Sequence, residues 1–429
     1  MRQYKDSGIE WIGKIPEDWK LSRLKFVLRS PIESGKRPNE SEGKILSVGG
    51  EHIQNGNFDL SHPMYVTEST YFDNKGKIQL NDTLVVKDGA TIGKCMYVKS
   101  MPNEKMLLNE HVYRISCSKF YYYWILSEIA QKWFRVRNQS TAQESITGPT
   151  IMNLPILVCS QTEQQRIVDF LDEKCVEIDS LIGLQEQMIE KLKAYKQSII
   201  TEAVTKGLDP NAKLVPSGID WIGEIPEGWK VIKTKFIANK IFKGNGITKE
   251  EVFTDGDTPC VRYGEIYSKY SQGFKDCVSA TNLDIQKSPQ YFHFGDILCA
   301  GTGELVEEIG KSIVYLGNKA CLAGGDIIII RHSQNPSFLN YALNSNYAQT
   351  QKSRGKAKLK VVHISAFEIG STYIILPPLS EQQTIANYLD EKCADIDRLI
   401  SLKQQKIESL KDYKKSVIYE AVTGKTEIV

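Results

Sequence analysis

EQQRIVDFLDEKCVEIDSLIGLQEQMIEKLKAYKQSIITEAVT, residues 163–205, returns as EQQTIANYLDEKCADIDRLISLKQQKIESLKDYKKSVIYEAVT at residues 381–423. The two stretches align without a gap, and 27 of 43 positions are identical. In the first, Leu171, Cys175, Ile178, Ile182, Gln185, Ile189, Leu192, Lys196 and Ile199 follow one another at alternating steps of four and three. The second repeats the series with Leu389, Cys393, Ile396, Ile400, Lys403, Ile407, Leu410, Lys414 and Val417. Such a seam, held for about four heptads, predicts a long helix that packs along a partner helix. Each would span ~65 Å at 1.5 Å per residue. A second apolar line (Leu181, Leu184 and Tyr195; Leu399, Leu402 and Tyr413) widens the face enough for more than one neighbour. Thr162-Glu163-Gln164-Gln165 and Ser380-Glu381-Gln382-Gln383 read as capping boxes, and Gly207 and Gly424 as C-caps. The seam itself leaves parallel and antiparallel packing open.

A second duplication lies upstream of each helix. SGIEWIGKIPEDWKLSRLKFV at residues 7–27 matches SGIDWIGEIPEGWKVIKTKFI at 217–237 in 13 of 21 positions. The order is therefore A–B–A′–B′. Between the matches lie residues 28–162 and 238–380, which resemble each other only faintly. DTLVVKDGATIGKCMYV (82–98) and DILCAGTGELVEEIGKSIVYL (296–316) each place an apolar strand, a glycine turn, Ile-Gly-Lys and a second apolar strand in order. One fold carrying two surfaces is the simplest reading. The expected fold is α+β: two pseudo-symmetric α/β domains, residues 1–155 and 207–375, separated by long helices at 156–206 and 376–429. Trp11, Trp19, Trp221 and Trp229 recur inside the scaffold and read as packing anchors.

Composition excludes several classes. Apolar content of 41% and charged content of 25% suit a globular chain. No run has the length of a membrane span or the zones of a leader, so a soluble cytoplasmic protein is expected. Nine cysteines, none in a Cys-x-x-Cys pair, suggest small buried residues. The six histidines show no metal-ligand spacing. Gly310-Lys311-Ser312 ends like a phosphate-binding loop, but Leu305 stands where the first glycine is needed. The Pro377-Pro378 pair fits a helix start better than a methyltransferase loop, and Glu42-x-Lys44 is too short a motif to mark a nuclease. No catalytic residue and no cofactor site is expected. The net charge of +2 is unevenly spread: +4 over residues 1–160 and +3 over 206–378, against −4 over 161–205 and −1 over 379–423. That permits a phosphate-binding face on each variable block.

WIGxIPxxW, a variable block, then EQQxI…LDEKCxxID…LI and EAVT, all twice and in this order, resemble the specificity subunit of type I restriction–modification systems. The resemblance covers nearly the whole chain. It implies two target-recognition domains, each reading half of a split, asymmetric sequence in double-stranded DNA, and two conserved helices forming an antiparallel coiled coil. It further implies that these helices dock two methyltransferase subunits, with restriction subunits joining for cleavage. S-adenosylmethionine, ATP and Mg would then belong to the partner subunits, and this chain would be non-catalytic. A twofold arrangement suits inverted half-sites on a duplex. A coiled-coil scaffold that binds proteins or glycans is the alternative, and an enzyme acting alone is a further rival.

Within that reading, Lys and Arg would meet phosphates while amides and guanidinium groups meet base edges. In the first block the candidates are Arg135, Arg137, Asn138, Gln139 and Thr141, with Lys36, Arg37, Lys87, Thr91 and Lys94. In the second they are Lys352, Arg354, Lys356, Lys358 and Lys360, with Lys243, Asn245, Arg262 and Thr302.

Overall fold

The computed structural model describes residues 2–428 apart from 38–42, 55, 139–144, 220–221, 254 and 357–360. The chain forms two compact units, Met1–Glu186 with Gln405–Val429, and Gln187–Gln404. Each contains one variable block, one scaffold segment and half of each long helix.

The long helices run Gln161–Lys206 and Leu379–Thr423. The first starts five residues after the expected boundary at 156, because Pro155–Val158 is a strand paired with Lys20–Arg23. Its twin, Tyr373–Leu376, pairs with Lys230–Lys233. The seam residues face inward. Leu171, Ile178, Ile189, Leu389, Ile396, Ile407 and Leu410 are buried, while Ile182, Leu192, Ile199, Ile400 and Val417 are half-buried.

Helix direction is settled inside each unit. In the first, Ile418, Ala421 and Val422 share a core with Ile167, Val168, Leu171 and Cys175, and Lys414 Nζ lies 2.7 Å from both carboxylate oxygens of Asp179. In the second, Ile200, Ala203 and Val204 join Ile385, Ala386, Leu389 and Cys393, and Lys196 Nζ lies 2.7 Å from both oxygens of Asp397. Residue numbers rise on one helix as they fall on the other, so the packing is antiparallel. Electrostatics explains the choice. Lys196 and Lys414 are sister positions, as are Asp179 and Asp397. In-register parallel packing would set like charges face to face, whereas antiparallel packing pairs each lysine with an aspartate.

The helix ends differ in part from expectation. Ser160, not Thr162, caps the first helix, its Oγ accepting from Glu163 N at 3.2 Å. The glutamates of the two EQQ motifs turn away from the helix start. Trp19 Nε1 donates to Glu163 Oε2 at 2.9 Å, and Trp229 Nε1 to Glu381 Oε2 at 3.0 Å. The C-caps are as read: Gly207 and Gly424 adopt φ of +79° and +69°. Each cap lies under a scaffold tryptophan, Gly424 beneath Trp19 and Gly207 beneath Trp229. One indole thus holds the start of one helix and the end of the other. Trp11 packs on Trp133 with ring centroids 6.3 Å apart, and Trp221 lies outside the described residues.

Two further contacts account for identical residues in the repeat. Tyr123 Oη donates to Asp172 Oδ1 at 2.6 Å, and Tyr341 Oη to Asp390 Oδ1 at 2.9 Å. Gln164 Oε1 accepts from Ser118 Oγ, and Gln382 Oε1 from Asn335 N, both at 3.0 Å. These bonds tie the variable blocks to the helices. Cys175 and Cys393 are buried in the same two cores, where burial raises both thiols.

Each block is built from small twisted sheets. In the first unit, Cys95–Tyr97, Thr83–Val86, Val112–Ile115 and Glu33–Ser34 form an antiparallel sheet. A second sheet pairs Ile45–Val48 with Met106–Leu108 in parallel and with Met64–Val66 in antiparallel register. In the second unit, Ala238–Lys243, Ile327–His332, Ile297–Ala300, Ser312–Tyr315 and Gly273–Phe274 make five strands. Thr258–Val261 runs parallel to Cys321–Ala323 beside them. The run Ile327–Ile330 is buried at every position, which is why it shows no alternation.

Candidate nucleic-acid interface

The two blocks can be put in register by their backbone hydrogen bonds alone. Asn109 N donates to Val48 O and Gly324 N to Val261 O, both at 2.9 Å. Val86 N reaches Lys94 O at 2.8 Å, and Ala300 N reaches Lys311 O at 2.9 Å. Lys87 N bonds His111 O where Gly301 N bonds Asp326 O. Ile146 N bonds Lys87 O where Ile364 N bonds Gly301 O. Asp88 bridges Ser145 as Thr302 pairs with His363. The Ile-Gly-Lys turns are each held by a glutamine, on carbonyls one residue out of step. Gln131 Nε2 holds Gly93 O, and Gln349 Nε2 holds Ile309 O, each at 2.9 Å. These turns are braced by side chains, a structural role for the motif.

This register defines a rim where strand ends and loops meet. Its backbone is shared but its side chains are not: Lys87 against Gly301, Asp88 against Thr302, His111 against Asp326, Ser145 against His363 and Gly49 against Arg262. The residues beneath the rim stay alike, as with Val48 and Val261, or Ile146 and Ile364. The first rim carries a chain of charged groups. Arg37 Nε lies 3.5 Å from Glu110 Oε1, His111 Nε2 lies 3.2 Å from the same oxygen, and His111 Nδ1 lies 2.6 Å from Asp88 Oδ1. Lys87 Nζ sits over the Tyr113 ring at 5.1 Å, and Lys36 is exposed. On the second rim, Lys243, Asn245, Arg262 and Asp326 line one groove of about 420 Å³. Lys243 Nζ lies 3.2 Å from Asp326 Oδ1. Gly244 sits so close to the carbonyls of Ala323 and Gly324 that a Cβ would overlap both. Each rim therefore holds an exposed cation (Arg37 or Lys243) beside a carboxylate, where a phosphate could replace the acid as its partner.

Other expected contacts land elsewhere. Thr91 is exposed and Lys94 half-buried on the first Ile-Gly-Lys turn, lining a cavity of about 640 Å³ within the first unit. Arg135 and Arg137 are exposed near the end of the helix Glu128–Asn138, with the Arg137 guanidinium 4.5 Å from the Trp133 ring centroid. The side chain of Asn138 lies outside the described residues, as do Gln139, Thr141, Lys358 and Lys360. Arg354 is exposed.

Three residues need correction. Lys352 is buried, its Nζ donating to Gly310 O at 2.7 Å and Leu343 O at 2.9 Å, so it ties a turn to a helix end instead of facing solvent. Lys356 Nζ is held by His363 O at 2.6 Å and Glu368 Oε1 at 2.7 Å, bracing its own loop. Thr302 is buried, with Oγ1 3.1 Å from His363 Nδ1. A run of lysines looks uniformly solvated in sequence, because nothing local tells which stem turns inward. Glu110, His111, Asp326 and His363 also belong to the rim, and no local motif marks them. Counting onward from the matched Ile-Gly-Lys turns to the next buried strand would have found the first three.

Burial pushes the Lys352 ammonium down to about 8. The unfolded chain then holds this proton more tightly than the folded one, so folded stability rises with pH between about 8 and 10.5. Relative to Lys352→Met, the natural chain should gain on the order of 2 kcal/mol across that window. Paired urea titrations at the two ends of the window measure this. A constant difference would place the proton elsewhere.

The model of the type I restriction modification DNA specificity domain matches residues 16–194 and again 226–412. The chain is 23% identical to the type I restriction enzyme MjaVIII specificity subunit of Methanocaldococcus jannaschii, covering 100% of this chain and 98% of that protein. It is 22% identical to the type I restriction enzyme StySPI specificity subunit of Salmonella potsdam, over 96% and 90% of the two chains. Among solved structures, a chain described under "complex assembly and conformational transition of the type I R-M system" shares the fold. Its TM-score is 0.70 at 17% identity, over 96% of this chain and 99% of that one. Each match begins inside a scaffold segment and ends inside a long helix, and the chain belongs to the type I restriction modification DNA specificity domain family.

Proposed function

We propose that this chain is the DNA-reading specificity subunit of a type I restriction–modification complex, each unit recognising one half of a bipartite, asymmetric target. The observation that carries this reading is the pair of rims, identical in backbone register and different in side chain. Two copies of one reader would serve a repeated target; two unlike readers serve two unlike half-sequences. Cations at each rim engage phosphates, and the varied polar groups engage base edges. The chain itself transfers no methyl group and cuts no strand.

The second apolar line supports the docking of partners. Leu181, Leu184, Tyr195, Leu399, Leu402 and Tyr413 are all exposed, although they recur at sister positions. Apolar side chains kept in both copies yet left in water suit two copies of one partner, here the methyltransferase subunits. Restriction subunits complete the assembly in the cytoplasm. S-adenosylmethionine, ATP and Mg belong to those partners.

Selection of duplexes from a random pool, by the chain complexed with its methyltransferase partner, tests the reading. The expected product is two unlike short sequences separated by unread positions. Binding should weaken steeply with salt, by about 10³-fold between 50 and 200 mM if roughly six phosphates are neutralised. Selection of no motif, or affinity indifferent to salt, would sink it.

A further inference from the structure

We infer that Asp88 in the first unit and His363 in the second are base-reading side chains with opposite hydrogen-bonding character. The inference rests on the reading above and narrows it to named residues. Asp88 and Thr302 hold the same backbone position, as do Ser145 and His363, and the two positions face each other across one short antiparallel bridge. In each unit that bridge joins the glycine-turn hairpin to the loop before a short capped helix. In each, one bridge position carries an imidazole or carboxylate and its partner carries a hydroxyl. The chemistry is therefore exchanged between strands while the backbone stays fixed.

Asp88 presents only acceptors. His111 Nδ1 lies 2.6 Å from its Oδ1, with the far ring nitrogen 3.2 Å from Glu110 Oε1. The ring braces the carboxylate from one side, and an ionised carboxylate has room for further donors. An acceptor aimed at a base edge selects an exocyclic amino group, that of cytosine or adenine. Arg37, 3.5 Å from Glu110 Oε1, brings positive charge to the same cluster, which offsets the repulsion between a carboxylate and the phosphates. His111 acts as a positioning residue for Asp88.

His363 is exposed, while its Nδ1 lies 3.1 Å from the buried Thr302 Oγ1. When that hydroxyl donates to Nδ1, the proton sits on Nε2, and the outer face of the ring becomes a donor. A donor selects an acceptor-bearing edge, guanine O6 or N7, or thymine O4. Lys356 fixes the residue from behind through the His363 carbonyl at 2.6 Å. Thr302 and Lys356 thus set His363, and the two units would read bases of opposite polarity from opposite sides of one shared bridge.

Random-duplex selection by the intact complex, repeated with Asp88→Asn, His111→Asn and His363→Phe, tests this. Asp88→Asn adds a donor and should change or relax one base pair of the first half, with discrimination there altered on the order of ten- to a hundredfold. His111→Asn should weaken discrimination at that same base pair. His363→Phe should relax one base pair of the second half and leave the first intact. A folded Asp88→Asn or His363→Phe complex that selects the unaltered motif overturns the assignment of that residue. Loss of information in both halves at once does the same. Should Asp88→Asn fail to fold, Asp88→Ser gives the same readout. A natural complex that selects no bipartite motif would instead defeat the proposed function, so the two failures are distinguishable.

Discussion

Trp19→Ala is expected to cost the first unit about 4 kcal/mol, and Trp229→Ala a similar amount in the second. Trp19 is fully buried, and three groups depend on it. Its indole N–H satisfies Glu163, its ring lies 5.3 Å from the Arg2 guanidinium, and its edge covers Gly424. Truncation to alanine leaves a cavity where the two helix ends meet and strips Glu163 of a partner. Trp19→Phe keeps most of the volume and removes the N–H, so about 1–2 kcal/mol is expected. Urea unfolding, with hydrogen exchange followed separately in residues 163–175 and 418–424, gives both values. A loss below about 1 kcal/mol for Trp19→Ala would mean that the indole is not the staple.

Replacing residues 28–150 by the chain's own residues 238–368 should give a protein with two equal readers, selecting the second half-sequence twice. The graft is feasible because the scaffold contacts are duplicated. Tyr341 would arrive where Tyr123 meets Asp172, and the joins fall beside Phe26 and Phe236, sister residues in the repeat. The original first half-sequence should lose its discrimination altogether, roughly 10³-fold or more over several base pairs at about 1–3 kcal/mol each. The second half should be unchanged. Duplex selection by the complex reads this directly. A graft that folds and retains the original first half would show that the block is not the reader.

The scaffold was legible because duplication makes a chain its own comparison. Residues 163–205 carry a heptad seam, and their return at 381–423 shows which polar residues recur. Gly207 and Gly424 could be read as helix stops from chemistry alone, since only glycine takes that turn without strain. The role of the EQQ glutamates could not. Their indole partners lie 144 and 152 residues away in the chain, and only the fold brings Trp19 and Trp229 onto them.

The rim was far less legible. Its residues come from loops far apart in sequence, and their register emerges only from hydrogen bonds such as Lys87 to His111 and Gly301 to Asp326. The lysine-rich stretch 352–360 looked like the stronger site because charge density is visible in one dimension. Burial of Lys352 and the bracing of Lys356 are three-dimensional facts.

By itself, the sequence determined that two similar halves exist, that each has a long helix with an apolar seam, and that the blocks between them differ. Those properties follow from periodicity and identity, which are local or countable. The tertiary structure alone decided which way the helices run, through Lys414 with Asp179 and Lys196 with Asp397, and which polar groups share an edge. Charge pairing and strand register depend on distances between residues remote in the chain, and no local pattern encodes a distance.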